Sequence, residues 1–296
     1  MTEHIKRLTK SARSTLELPD EDRILKIQQQ TWIPYDQANK LLEELDLLFN
    51  YPQKDRMPNL LIVGSTNNGK STILKKFMQK YPDYVTAENV KKPIVYIQAP
   101  TSGGSDALHE KILDAVNAPY STHHTASRKE KQAGEILKSL DTKMLIIDEF
   151  QDIFHGGASR EKKFLATVKH LSNQLQVPII AAGVEKVQSV ISKDPQMANR
   201  FEPIFLPKWK FDEDYIRLLM SIETTLPLHK PSLLHKKKVA ALLYGMSEGI
   251  LGELMTIISR AGVMAIQKGK EQIDEDILKS IRFTKPADRR LLKSGH

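Results

Sequence analysis

Cysteine is absent from this chain of 296 residues, and its absence excludes disulfide bonds and thiolate metal sites. It also fits a reducing compartment, so we expect a cytoplasmic protein. No uninterrupted apolar stretch approaches the ~18 residues that a membrane-spanning helix needs. Residues 1–7 likewise contain no apolar run of the kind found in secretory signals. We therefore expect no membrane partner.

Acidic residues are the minority among the charged ones. The chain has 36 Asp and Glu against 44 Lys and Arg, which gives a formal net charge of +8. A basic balance favours acidic partners such as nucleic acid, although a solvated basic surface produces the same composition. The length suits one large α/β domain together with a smaller second domain.

One stretch carries a phosphate-binding pattern. Four apolar residues at 60–63 lead into Gly64-Ser-Thr-Asn-Asn-Gly69-Lys70-Ser71, and a helix-compatible segment follows. In a strand–loop–helix of this kind, backbone N–H groups surround phosphate oxygens at the helix N-terminus. Lys70 would place its charge on the β- and γ-phosphates, and the Ser71 hydroxyl would bind Mg²⁺. The predicted cofactors are ATP and Mg²⁺, and the predicted nucleotide-binding residues are Gly64, Ser65, Thr66, Asn67, Asn68, Gly69, Lys70, Ser71 and Thr72.

A second motif supplies two acids. Residues 144–147 are apolar and lead directly into Asp148 and Glu149. At a strand end, Asp148 can hold Mg²⁺ directly or through water, and Glu149 can polarise an attacking water. A strand that leaves the core through polar residues is the alternative. Together with the phosphate loop, the pair predicts an ATPase whose catalytic residues include Lys70 and Glu149.

Strand-like and helix-like segments alternate through the middle of the chain, which predicts a parallel sheet with helices on both faces. Beyond residue 208 the patterns are helical only, as in a small helical domain. The predicted strands are 60–63, 94–97, 144–147, 179–182 and 204–206. The predicted domains are an N-terminal extension (1–35), a nucleotide-binding domain (36–207), a helical lid (208–283) and a loose basic tail (284–296).

Several stretches together resemble one family. They are Trp32-Ile-Pro-Tyr35, residues 56–71, residues 144–149, Asn199-Arg-Phe-Glu-Pro203 and Ser247-Glu-Gly-x-x-Gly-Glu253. This combination resembles the TniB/TnsC group of transposition ATPases, on the TniB side, and through it the AAA+ class. The likeness extends over about residues 20–290.

That resemblance implies a fold and a further catalytic residue. The fold would be an α/β AAA+ P-loop fold: a three-layer αβα sandwich whose parallel five-stranded sheet runs 5-1-4-3-2, with a small C-terminal helical lid. In this class an arginine from the neighbouring subunit completes the hydrolytic site. Arg200, just before the fifth strand, is the candidate here. Pairing of Arg200 with a nearby acid is the alternative.

The resemblance also implies a function and partners. In the ATP state such proteins bind duplex DNA without sequence specificity and assemble on it as homo-oligomeric rings or filaments. They mark target DNA for a DDE transposase and contact a target-selection protein of the TniQ type. Hydrolysis takes the assembly apart. In a bacterium a protein of this kind is expected at the nucleoid.

Two positions depart from the family pattern. Val184 follows the fourth strand, where AAA+ proteins often place a polar sensor, so any sensing there would be weak or fall to Glu185. Glu253 follows Gly252, where many AAA+ lids soon place a sensor arginine, and the next arginine, Arg260, lies about two helical turns later. Both departures predict slow hydrolysis.

DNA contacts are expected at basic and small polar residues on the loops that follow the second strand and flank the next helices. Such groups bind phosphates without reading bases. Each of them could equally belong to a solvated helix face. The predicted DNA-binding residues are Thr101, Ser102, Arg128, Lys129, Lys131, Arg160, Lys162 and Lys163.

Two other functions remain open. One is a helicase loader or initiator ATPase, which has a closely related fold. The other is a nucleotide-gated recruitment scaffold with vestigial hydrolysis. Val184 supports the scaffold, whereas Glu149 argues against it, because a pure scaffold has no need of a base.

Overall fold

The computed structural model describes residues 3–29, 32–87, 89–101 and 106–293. By its contacts the chain divides into two compact units. The sheet unit comprises residues 37–66 and 70–206, and the helical unit comprises the residues up to 36, residues 67–69 and those from 207 onward. The described residues up to Asp36 therefore group with the helical unit by their contacts.

The strands lie in the sheet unit. In chain order they are β1 (Asn59–Gly64), β2 (Tyr84–Val85), β3 (Val90–Lys91), β4 (Ile94–Gln98), β5 (Met144–Asp148), β6 (Ile179–Gly183) and β7 (Phe201–Leu206). The main sheet has the order β4-β5-β6-β1-β7, and all of its strands are parallel. Counted along the predicted strands, this is 5-1-4-3-2, so the predicted fold is confirmed.

Helices cover both faces of this sheet. The sheet-unit helices are α4 (Asp36–Phe49), α5 (Lys70–Met78), α6 (Ala107–Ala115), α7 (Ala126–Ser139), α8 (Gly157–Leu175), α9 (Glu185–Ile191) and α10 (Pro195–Ala198), with a 3₁₀ helix at Phe150–Gly156. Leu61 and Val63 of β1 pack into one core with residues of α6, α7 and α8. Because side chains alternate along a strand, the equally buried Leu60 and Ile62 point to the opposite face. Because both faces of β1 are buried, its sequence is a continuous apolar run.

Four small elements of this unit are absent from the predicted pattern. Strands β2 and β3 form a two-stranded antiparallel hairpin, pairing Tyr84 with Lys91. Helices α9 and α10 connect β6 to β7. Asp194 caps α10 by accepting hydrogen bonds from the N–H groups of Gln196 and Met197, and Pro195 begins the helix. Segments this short have too few residues to show a period in sequence.

The helical unit surrounds a second core. Its helices are α1 (Glu3–Arg7), α2 (Lys10–Thr15), α3 (Asp20–Gln28), α11 (Glu213–Glu223), α12 (Lys237–Ser247), α13 (Leu251–Gln267), α14 (Glu275–Ser280) and α15 (Pro286–Lys293). Buried Arg23 of α3 pairs with Glu271 and donates to the carbonyl of Pro227 at 2.9 Å. Ile27 of α3 packs close to Gly262 of α13: a Cβ atom added to that glycine would lie 3.4 Å from the Ile27 side chain. The N-terminal segment is thereby fastened to the unit.

The end of the described chain differs from the expected loose tail. Residues 286–293 form α15, and Glu248 accepts a 3.1 Å hydrogen bond from the backbone N–H of Ala287 in its first turn. No helix among the described residues is, by itself, long and apolar enough to cross a membrane. The bent pair α12 and α13 passes that test jointly, by length and composition only.

Candidate nucleotide-binding site

The candidate site begins at the carboxyl edge of the sheet. Parallel strands end at the same edge, so the register of the sheet decides which side chains meet there. Gly183 at the end of β6 lies opposite Val63 of β1, and Ile147 of β5 lies opposite Ala181 of β6. The phosphate loop after β1 and the acids at the end of β5 therefore emerge from one edge, separated by a single strand.

The phosphate loop has the backbone that its glycines require. Gly69 has φ +91°, a conformation that residues with a side chain rarely adopt. A Cβ atom on Gly64 would lie 2.9 Å from the carbonyl oxygen of Leu206, because β1 and β7 approach closely there. Asn67 also has a positive φ, 61°, which asparagine tolerates better than most residues. The loop is thus curled, and its first helical residue is Lys70.

Lys70 is buried and faces the interior of the loop. Its Nζ donates hydrogen bonds to the carbonyl oxygens of Gly64 at 2.8 Å and Ser65 at 3.0 Å. Burial lowers the pKa of Lys70, while the carboxylates of Glu149 and Asp148 act in the opposite direction. The ammonium group and both acids therefore lie within electrostatic reach of one another, as the sequence motifs predict.

Asp148 is fully buried at the end of β5, and both of its oxygens accept hydrogen bonds. Oδ1 accepts from the N–H of Glu149 at 2.8 Å, and Oδ2 accepts from the hydroxyl of Tyr96 at 2.7 Å. Burial, followed by this bond to Asp148, raises the pKa of Tyr96, so the phenol remains a donor. These donors fix the orientation of a carboxylate that could serve as a metal ligand.

Glu149 turns the chain away from the strand. It adopts a left-handed conformation, φ 50° and ψ 41°, which costs a residue with a side chain about 1–2 kcal/mol. Its carboxylate accepts a hydrogen bond from Nε2 of Gln151. Strain of this kind persists where the surrounding structure enforces it, and it is concentrated at functional sites.

These residues suit a nucleoside triphosphate with Mg²⁺. The curled backbone between Gly64 and Lys70 presents amides and one cation to phosphates, and oxygen ligands for a hard cation come from Ser71 and Asp148. Thr72 follows Ser71 in the first turn of α5. Nucleotide binding by residues 64–72 stays a prediction.

The tip of the phosphate loop packs within the helical unit, which includes residues 67–69. The N–H of Gly252 donates to the carbonyl of Asn67 at 2.9 Å, and Asn67 Nδ2 donates to Glu253 Oε1 at 3.1 Å. A Cβ atom on Gly252 would lie 2.0 Å from Oδ1 of Asn67, so a larger residue there would displace the Asn67 side chain. Glu253 is paired in turn with Arg289 of α15.

Arg200 lies at the opposite edge of the sheet. It precedes Phe201, which pairs with Asn59 at the start of β1, so about 16 Å of strand separates it from the loop of its own chain. Its Nη1 donates to Asn173 Oδ1 at 2.7 Å. Burial, and then the nearby cation Arg56, lowers the pKa of Arg200. An amide and a second cation around it do not fit the alternative of a simple ion pair with an acid.

The predicted DNA-binding residues occupy different environments. Thr101, Arg128, Lys131, Lys162 and Lys163 are exposed, and Arg160 is half-buried. Ser102 lies outside the described residues. The prediction that Lys129 binds DNA is wrong. Its side chain is 1% exposed, and its Nζ donates to Asp106 at 2.7 Å and to Glu110 at 2.5 Å. It joins α7 to α6 and is not available for a phosphate.

Three residues of the site were not found from sequence. Tyr96 and Gln151 bind the two acids, and Arg289 pairs with Glu253. Gln151 stands two residues after Glu149, a weak signal for a contact. Tyr96 and Arg289 have no signal, since their partners lie 52 and 36 residues away.

Comparison with known proteins provides one family match. A family profile described as "Bacterial TniB protein" matches residues 23–211. That segment contains the phosphate loop, both acids and Arg200. A sequence search against curated proteins finds no match.

Solved structures share the fold at low identity. ORC2 of Aeropyrum pernix, described in ADPNP–ADP complexes, aligns with TM-score 0.63 at 16% identity, covering 86% of this chain and 70% of that one. Cdc6p of Pyrobaculum aerophilum aligns with TM-score 0.61 at 16% identity, covering 86% and 68%. ORC1 of A. pernix, in complex with DNA, aligns with TM-score 0.61 at 14% identity, covering 87% and 68%. The chain has the AAA+ fold of these proteins.

Proposed function

Because this chain belongs to the TniB family, we propose that it is an ATP-dependent regulator of DNA transposition. The observation that carries the proposal is the meeting of the phosphate loop with Asp148 and Glu149 at one sheet edge. A loop alone would support binding, whereas a carboxylate beside it supports hydrolysis. Turnover is slow, as befits a switch.

The chain's own residues divide the chemistry among them. When bound, ATP with Mg²⁺ would supply a γ-phosphoryl group whose phosphorus water can attack, with ADP as the leaving group. Lys70 exchanges its two carbonyl partners for phosphate oxygens, and Ser71 and Asp148 provide hard oxygen ligands. Glu149 orients the attacking water and accepts its proton.

The site is completed by a second copy of the chain. Arg200 lies too far from its own phosphate loop to act there, but it lines a cavity of about 440 Å³ with Lys54, Arg56 and the acid Glu202. Three cations against one acid leave this cavity net positive, which suits the phosphates of a neighbouring nucleotide. ATP then holds the copies together as a ring or filament, and hydrolysis releases them.

Duplex DNA is the substrate on which this assembly forms. Exposed Arg128 and Lys131 of α7, with Lys162 and Lys163 of α8, provide phosphate-binding charge. Glu130 of α7 contacts His170 of α8 at 2.6 Å, so the two helices are neighbours. The assembled protein would mark DNA for a DDE transposase and a TniQ-type target-selection protein.

The decisive experiment is electron microscopy of the protein with duplex DNA in the presence of an ATP analogue, ADP or no nucleotide. We expect rings or filaments with the analogue only. Lys70→Ala removes the cation of the loop and should abolish them, whereas Lys80→Ala, which removes an exposed lysine beyond the end of α5, should not. A protein that stays monomeric off DNA in every nucleotide state would refute the proposal.

The likeness to ORC and Cdc6 favours an initiator or helicase-loader ATPase as the second candidate. That function predicts preferred origin-like sequences or a helicase partner. Competition between unrelated duplexes separates the two, since phosphate binding is insensitive to sequence. Binding of one DNA sequence at least a hundredfold more tightly than the others would favour the initiator.

The nucleotide-gated scaffold remains a third possibility, because Val184 provides no polar side chain at the sensor position. It predicts nucleotide-dependent assembly without hydrolysis. Measuring phosphate release from DNA-bound protein tests it. If assemblies of a Glu149→Gln variant have the same lifetime as those of the native protein, the scaffold is favoured.

A further inference from the structure

The Gln151 side chain joins two strand ends of the sheet unit. Its Nε2 donates a hydrogen bond to Oε2 of Glu149, the residue after β5, and its Oε1 accepts one from the N–H of Val184, the residue after β6, at 3.3 Å. A primary amide is suited to this bridge because it donates from nitrogen and accepts at oxygen. The catalytic carboxylate is thus tied to the neighbouring strand.

The backbone around Gln151 is held firmly. Phe150 and Ile153, on either side of it, are 0% and 2% exposed, and the Phe150 ring packs edge-on against Phe164 at 5.3 Å. The left-handed turn at Glu149 reverses the chain just before this anchor. The Glu149 and Gln151 side chains are brought together as a result.

Gly183 leaves room for the amide. A Cβ atom at that position would lie 2.9 Å from Gln151 Oε1 and 2.6 Å from a methyl group of Val187. Gly183 also pairs with Val63 of β1, immediately before Gly64 of the phosphate loop. The strand to which Gln151 is bonded is therefore the strand beside the phosphate loop.

We propose that Gln151 is a positioning residue for hydrolysis, holding the Glu149 carboxylate in its working orientation and coupling it, through the Val184 N–H, to the strand beside the phosphate loop. The inference rests on the proposed function. A free glutamate side chain samples several rotamers, and ordering it costs conformational entropy. The amide of Gln151 fixes one carboxylate oxygen of Glu149, so this side chain is ordered before ATP binds. The backbone N–H of Val184 performs the polar contact that the Val184 side chain cannot make.

Two substitutions at Gln151 test its two hydrogen bonds separately. Gln151→Ala removes both hydrogen bonds. Gln151→Glu keeps an acceptor for the Val184 N–H, but it cannot donate to Glu149 and places a like charge beside it. The matched control is Gln196→Ala, an exposed glutamine of α10 in the same unit.

The experiment measures DNA-stimulated ATP turnover, affinity for an ATP analogue, and amide hydrogen exchange at Val184 in the nucleotide-free protein. For both Gln151 variants we expect kcat to fall about tenfold to a hundredfold, with KM and analogue affinity within about twofold of native. Exchange at Val184 should accelerate in Gln151→Ala and remain slow in Gln151→Glu. Gln196→Ala should match the native protein in all three measurements.

The outcomes distinguish this inference from the function on which it rests. Native protein that binds the analogue but never hydrolyses ATP would overturn both. Native turnover together with an unchanged or faster kcat in Gln151→Ala would overturn the role of Gln151 alone. Unchanged exchange at Val184 in Gln151→Ala would likewise overturn the coupling between the strands.

Discussion

The hydroxyl of Tyr96 on β4 donates a 2.7 Å hydrogen bond to Oδ2 of Asp148 on β5. Gln98 and Asp148 are paired in the register of these strands, which places Tyr96 two residues before the sheet edge and on the same face as Gln98. A phenol thus supports the carboxylate assigned to Mg²⁺. The contact combines a stabilising role with a functional one, and the two can be measured separately.

Removing this hydroxyl with Tyr96→Phe should lower the free energy of unfolding by about 1 kcal/mol, since a buried carboxylate loses one of its donors. The carboxylate of Asp148 is then held less firmly in the orientation that Mg²⁺ would need, so the Mg²⁺ concentration needed for half-maximal ATP binding should rise about fivefold. Urea unfolding and an Mg²⁺ titration measure the two effects. Tyr84→Phe, on the exposed hairpin, is the control. A lower Mg²⁺ requirement would mean that Tyr96 competes with the metal.

Subunit mixing tests Arg200. Arg200→Ala should keep ATP and DNA binding but lose turnover about a thousandfold, the usual effect of removing a trans arginine. Adding Lys70→Ala protein should restore activity, because a mixed interface joins an intact loop to an intact arginine. Arg56→Ala, mixed in the same way, shows whether the second cation shares the role. If no ratio of the two proteins restores turnover, Arg200 does not act on a neighbour.

Replacing Lys129 should affect stability and leave DNA binding intact. Lys129→Ala removes the cation that pairs with Asp106 and Glu110, so the thermal midpoint of unfolding should fall. Reversing the exposed charges of Lys162 and Lys163 to glutamate should instead weaken DNA binding and flatten its salt dependence, with little change in midpoint. Fluorescence anisotropy at several salt concentrations and thermal unfolding separate the two. If Lys129→Ala weakened DNA binding and the glutamate variants of Lys162 and Lys163 did not, Lys129 would be a DNA contact and the other two lysines would not.

Acid sensitivity should arise partly from His109 of α6. Burial lowers the pKa of this imidazole below its ordinary value of 6.5, so the unfolded chain binds its proton more readily than the folded one. Stability contributed by neutral His109 is therefore present above about pH 6.5 and lost as the pH falls. His109→Gln should reduce the difference in urea midpoint between pH 7.5 and pH 5.5, and exposed His123→Gln should not. An unchanged difference in His109→Gln would assign the acid sensitivity to other groups.

The sheet and the loop were predictable because their signals are local. Residues 60–72 contain strand, turn and helix start in one uninterrupted stretch, and the apolar runs ending near Asp148 and Gly183 mark buried strands. The strand order followed from resemblance and was confirmed. Lys129 was misplaced because a basic cluster at a helix start looks the same whether a lysine faces water or two acids on another helix.

Sequence by itself therefore predicted which groups would carry the chemistry. The glycines, Lys70 and Ser71 lie within one short stretch, and the two acids are neighbours at the end of another apolar run, so each motif is visible locally. Only the tertiary structure decided how those groups are held. Tyr96 reaches Asp148 because two strands pair in one register, and Gln151 reaches Val184 because the chain turns at Glu149. Such contacts depend on strand pairing and backbone conformation, which bring together residues that composition and periodicity do not connect.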